Sequence, residues 1–133
     1  MRHVVIAAHH RFASGLRDTL EFIGGDLGIV DINAYIDDTP LEDQVRATFD
    51  SFAPEDEVLV FTDMMQGSVN QAFIPYIGPN VFLVTGVNVP CALELALSAS
   101  PLTGEGVAAV VDAARSQLMF VNAQAASVDD EDE

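Results

Sequence analysis

Two adjacent histidines, His9 and His10, close the apolar run Val4–Ala8, and an aspartate, Asp63, follows the apolar run Glu57–Thr62. An imidazole beside a carboxylate is a constellation for nucleophilic or proton-transfer chemistry. The carboxylate accepts from one ring nitrogen, fixes the tautomer and leaves the other nitrogen bare. His9 ends a strand pattern where a helix pattern begins, and such tips are where open α/β sheets place ligands. The N–H groups of a following helix suit an anion such as a phosphoryl group. Each residue also has a bland reading. A histidine there serves equally as a turn residue, and Asp63 equally as a turn or capping residue. Ser68, after Gly67, opens a Ser-x-x-Gln capping box, so a capping role is expected of it, and the same helix start can present N–H groups to a phosphate. Thr62 and the Thr85-Gly86-Val87-Asn88 stretch add further polar groups at strand ends, making Thr62, Asn88 and His10 accessory candidates.

Short apolar runs alternate with helical patterns along the chain, as in a parallel sheet covered by helices on both faces. Strands are predicted at His3–Ala8, Leu27–Asn33, Glu57–Thr62 and Val81–Thr85, with a weaker one at Gln117–Val121. The first helix carries Phe12, Leu16, Leu20 and Ile23 at helical spacing and stops at Gly24-Gly25. Thr39-Pro40-Leu41-Glu42 supplies an N-cap, a first-turn proline and an acid for a second helix, with Leu41, Val45, Phe49 and Phe52 as its apolar stripe. A third runs from Ser68 toward Tyr76 and stops at Gly78-Pro79, a fourth from about Val89 to Ala99, and a fifth from Thr103-Gly104 to about Arg115. Parallel strands gather their C-terminal tips on one edge, so His9, Asp63 and Ser68 are expected together there, and His3 at the opposite end of its strand.

The chain has 133 residues, half of them apolar, which fits one compact domain. Its formal charge of −16 arises from 21 acids against five arginines and no lysine, which argues against nucleic acid and anionic membranes as partners and is compatible with a basic protein. Cys91 is a lone cysteine, so neither an internal disulfide nor a cysteine-based metal cluster is available. The uncharged stretches are broken before bilayer-spanning length and the chain opens directly on a strand pattern, pointing to a cytoplasmic protein without membrane insertion. Asp129-Asp130-Glu131-Asp132-Glu133 repels itself, so the expected organisation is a domain over 1–122 and a disordered acidic tail over 123–133.

Three stretches together resemble the mannose and fructose type IIA components of the bacterial sugar phosphotransferase system. They are His9-His10-Arg11-Phe12-Ala13-Ser14-Gly15-Leu16, Thr62-Asp63-Met64-Met65-Gln66-Gly67-Ser68-Val69-Asn70 and Thr85-Gly86-Val87-Asn88-Val89-Pro90. The resemblance implies an open, mostly parallel sheet with helices on both faces and a C-terminal antiparallel strand exchanged in a homodimer, for which 117–122 is the candidate. It implies phosphorylation of His9 by the histidine-containing phosphocarrier protein and delivery to a IIB component, with no cofactor and no metal. Asp63 would orient the ring, while Ser68 and nearby main-chain N–H groups, including those around Gly67, would hold the phosphoryl oxygens. Two positions depart from the pattern: His10 and Gln66 each stand where the family has glycine, which bears on loop geometry and partner choice. The alternatives are a phosphotransferase subunit feeding a dihydroxyacetone kinase, which has a similar active histidine, and a non-enzymatic interaction module of the same fold. A receiver domain lacks support, because its acid pair after the first strand and its lysine after the fifth are missing.

Overall fold

The computed structural model describes residues 1–124. Four parallel strands, β1 (Arg2–His9), β2 (Val30–Ala34), β3 (Glu57–Thr62) and β4 (Val81–Thr85), form one sheet in the order β2-β1-β3-β4. The helices are α1 (Phe12–Gly24), α2 (Leu41–Asp50), α3 (Ser68–Phe73, continued by a 3₁₀ turn at Ile74–Tyr76), α4 (Val89–Ala96) and α5 (Gly104–Arg115).

Alternate residues of each strand feed opposite faces, the period-two consequence of the pleat. Val4, Ile6, Ala8, Leu59, Phe61 and Val84 pack with α1, α4 and α5 on one side. Val5, Ala7, Ile32, Ala34, Val58 and Val60 pack with α2 and α3 on the other. Burial on both faces explains why β1 and β3 read as continuous apolar runs. Each fully buried Val, Leu, Ile or Phe contributes about 1.5–3 kcal/mol, so the two central strands form a rigid base for their tips.

The chain leaves β1 for one neighbour, β2, then crosses back to the other, β3. The sheet therefore has its switch point at the C-terminal ends of β1 and β3, where loops on opposite faces diverge and leave a crevice. Ala7 pairs with Thr62, which sets His9 and Asp63 side by side beyond that pair.

Several elements differ from the sequence reading. β2 begins at Val30 rather than Leu27, because Gly28 takes φ +62° and breaks the extended run. The buried face of α1 is Ala13, Leu16 and Leu20, leaving Phe12 and Ile23 exposed. α2 begins at Leu41 with Pro40 as its N-cap, one residue later than the Thr39 cap, and α4 stops at Ala96. Residues 117–121 form no strand. Gln117 and Leu118 donate to the carbonyls of Ala114 and Arg115, extending the end of α5 as a turn, and 121–124 form a helical turn. A strand needs a partner edge, and in this structure the segment pairs with neither outer edge of the sheet; Leu118 and Phe120 stay 89% and 72% exposed. The expected tail thus begins within that helical turn, and the rest of it lies outside the described residues.

Candidate active site

His9 Nδ1 lies 2.8 Å from Asp63 Oδ2, and the His9 main-chain N–H donates to the same oxygen at 3.0 Å. Asp63 Oδ1 accepts from the Met64 N–H at 3.1 Å. An ionised carboxylate only accepts, so Nδ1 carries the ring proton and Nε2 presents its lone pair. Nε2 has no partner among the described residues and reaches solvent, on a side chain that is 35% exposed. Burial acts most strongly on the Asp63 carboxyl and pushes its pKa up. The His9 N–H, the His9 ring and the ring's charge outweigh that push together, and the carboxyl titrates below its ordinary value. Asp63 is therefore a fixed anion at neutral pH, suited to stabilising positive charge that develops on the imidazole.

The rest of the site is built by the start of α3. Thr62, fully buried at the end of β3, donates its hydroxyl proton to Asn70 Oδ1 at 2.9 Å; with that proton spent, Thr85 donates to Thr62 across 2.8 Å. This chain of bonds ties α3 and the tip of β4 to β3, which brings Gly67 over the His9 ring. A Cβ on Gly67 would stand 3.2 Å from His9 Cε1, so glycine serves here for close approach. Gly67 also replaces Ser68 as the N-cap, and no side chain caps α3. The hydroxyl of Ser68 instead bonds that of Tyr35, whose ring centroid is 5.7 Å from that of His9 at 45°.

Of the residues singled out in the sequence, His9, Asp63, Gly67 and Ser68 meet at one place. Thr62 acts from beneath as a buried tie. Asn88 does not join them: its Oδ1 caps α4 by accepting from Cys91 N–H at 2.9 Å, and its Nδ2 donates to Ala114 O at 2.8 Å. His10 makes no bond to Asp63. Its backbone takes φ +56°, ends the strand, and donates to Ala34 O at 2.9 Å. Histidine thus adopts a left-handed conformation that glycine adopts more readily, whereas Gln66 stands outside that region and needs no glycine. Two participants were missed. Asn33 Oδ1 accepts from Ser14 N–H at 3.1 Å and caps α1 across the sheet edge. Tyr35 sits just beyond the tip of β2.

Among the described residues no group of three or more His, Cys, Asp or Glu side chains is gathered to hold a metal ion. Burial, with Glu94 adding to it, pushes the Cys91 thiol up, away from a reactive thiolate. No described helix is long and apolar enough to cross a membrane.

The family model of the fructose IIA component of the phosphotransferase system (PTS) matches residues 3–114. A putative phosphoenolpyruvate-dependent sugar PTS permease from Klebsiella pneumoniae is 32% identical, with a TM-score of 0.84 and 91% of each chain covered. The PTS IIA protein associated with the fucose utilization operon of Streptococcus pneumoniae is 26% identical, with a TM-score of 0.78 over 92% of this chain and 95% of that one. The mannose/sorbose-specific IIA subunit of Enterococcus faecalis, 22% identical over 90% of this chain and 93% of that one, shares the fold at a TM-score of 0.75. No curated protein matches the chain. The parallel sheet, its switch-point crevice and the match over nearly all of the folded residues lead to one assignment: the chain belongs to the mannose/fructose-type IIA components of the sugar phosphotransferase system.

Proposed function

We propose that His9 is the phosphoryl carrier, taking the group on Nε2 from the histidine-containing phosphocarrier protein and giving it to a IIB component. The observation that carries this reading is the 2.8 Å contact between Nδ1 and Asp63, which leaves Nε2 as the exposed nucleophile. Nε2 attacks phosphorus as the donor's P–N bond breaks and the donor imidazole departs with the electron pair. His9 keeps its Nδ1 proton throughout, so the step needs no general base. Charge appearing on the ring is met by Asp63, and the reverse step is the same motion toward the next acceptor. A loose phosphoryl transition state asks mainly for in-line placement and charge stabilisation, which a few fixed groups on a rigid sheet edge supply. In this reading Ser68 and the main-chain N–H groups beside Gly67 hold the phosphoryl oxygens. The exposed apolar run Leu118–Val121 and the unpaired outer edge of β4 support a homodimer in which 117–122 is shared between subunits.

Incubation with the phosphocarrier, its kinase and phosphoenolpyruvate, followed by mass-spectrometric mapping, tests the assignment. His9→Ala is expected to abolish an acid-labile label that His10→Ala retains; equal labelling of both variants would reject it. Recovery of a IIB protein rather than a dihydroxyacetone kinase subunit on the phosphorylated chain identifies the acceptor.

A further inference from the structure

Tyr35 has an unusual backbone for a bulky residue. It follows the last residue of β2 with φ +68°, a left-handed conformation that disfavours large side chains and that persists where surrounding structure enforces it. The turn directs the ring to the His9 ring, 5.7 Å away, and its hydroxyl to Ser68 Oγ. Ser68 spends nothing on capping, because Gly67 holds the N-cap position. A hydroxyl has one proton and two lone pairs, and phenol is the better donor of the two. With Tyr35 donating to Ser68 Oγ, the serine proton is free for an incoming acceptor. Gly67, adjacent to Ser68, lies against His9 Cε1, the ring carbon bonded to Nε2. The freed proton belongs to the residue next to the glycine that faces this ring carbon.

We propose that Tyr35 is a positioning residue for the phosphoryl group: its hydroxyl orients Ser68 so that the serine donates to a phosphoryl oxygen on His9 Nε2. The inference rests on the phosphoryl-carrier reading above. A donor aligned by a second donor is polarised and held in one rotamer, so it binds an anionic oxygen more strongly than a free serine does. Tyr35 touches the group only through Ser68, and the two hydroxyls act as one unit.

The test is the equilibrium of phosphoryl exchange between the phosphocarrier and the full chain, for the unaltered protein, Tyr35→Phe, Ser68→Ala and the double variant, with thermal unfolding followed in parallel. Tyr35→Phe keeps the ring and removes one oxygen. It is expected to shift the equilibrium toward the phosphocarrier about five- to tenfold at unchanged Tm, the scale of one charge-assisted hydrogen bond weakened. Ser68→Ala is expected to shift it at least as far, and the double variant to match Ser68→Ala alone. An unchanged equilibrium for Tyr35→Phe, or additive shifts in the double variant, would overturn the inference while leaving labelled His9 intact. Absence of label on His9 in the unaltered protein would remove the reading beneath it.

Discussion

At the start of β1 His3 Nε2 meets Asp56 Oδ2 at 2.7 Å; at its end His9 Nδ1 meets Asp63 Oδ2 at 2.8 Å. The contacts are alike in length and chemistry, and their surroundings are opposite. His3 lies flat on Phe52, centroids 3.9 Å apart and planes 11° from parallel, and its side chain is 17% exposed. Asp56 also receives the Ala53 N–H and the terminal ammonium, so the cluster fastens the chain's first residues to the loop before β3. It engages the distal nitrogen, the one that would otherwise reach outward. His9 engages the proximal nitrogen and leaves the distal one open, on the edge where α1 and α3 begin. An imidazole–carboxylate pair is therefore not a site in itself; the nitrogen engaged and the sheet edge occupied decide whether a nucleophilic nitrogen is left open.

Substitution at each histidine should separate the two roles most sharply. His9→Ala loses phosphoryl labelling entirely, whereas His3→Ala labels at an unchanged rate and loses about 1 kcal/mol of stability through the missing stack. Labelling kinetics and denaturant unfolding of the two variants check both halves, and slow labelling of a well-folded His3→Ala would break the contrast. At the carboxylates, Asp63→Asn keeps the shape but removes the charge that meets the developing imidazolium. Its labelling rate should fall about 10²-fold, the scale of a positioned ionic group in proton-coupled or charge-developing steps, while Asp56→Asn stays within about twofold. Stopped-time labelling against phosphocarrier concentration measures this.

Gly67→Ala probes a finer feature. The added methyl would stand 3.2 Å from His9 Cε1, so the ring or the start of α3 must give way by a few tenths of an ångström. A loss of about tenfold in labelling with little change in Tm is expected, since misplacement near the reacting atom costs more in rate than in folding. Full activity in this variant would show that the ring is less closely confined.

The smallest effect concerns acid. Burial raises the Asp63 carboxyl, but the His9 contacts more than offset it, so the folded pKa lies below the ordinary 3.8. A depressed carboxylate stabilises the fold above its unfolded value and loses that contribution as pH falls through the folded one. The difference in Tm between the unaltered protein and Asp63→Asn should therefore be constant near neutrality and shrink below about pH 4. A difference that grows in acid would contradict the assigned shift.

Much of this was legible in the sequence because it depends on local pattern. Apolar runs of strand length marked β1, β3 and β4, and parallel topology then forced His9 and Asp63 onto one edge. What escaped depends on contacts between distant residues. The Ser68 box suggested a cap, yet α3 begins one residue earlier with Gly67 at the N-cap, and Tyr35, 33 positions upstream, takes the serine hydroxyl instead. Neither the left-handed turn at Tyr35 nor that at His10 carries the glycine that would announce it. Asn88, an accessory candidate from its place after β4, instead clamps α4 to α5. The weak strand at 117–121 rests on a short apolar run and on the family resemblance, and in this structure the segment pairs with no sheet edge.

The account turns on which nitrogen of His9 bears phosphorus. Three-bond proton–phosphorus couplings in the phosphorylated protein report this directly, because Nε2 is bonded to both C–H carbons of the ring and Nδ1 to only one. With Asp63 holding Nδ1, phosphorus should couple to both Hδ2 and Hε1 of His9. Coupling to Hε1 alone would place the group on Nδ1, where Asp63 now sits, and would contradict the account.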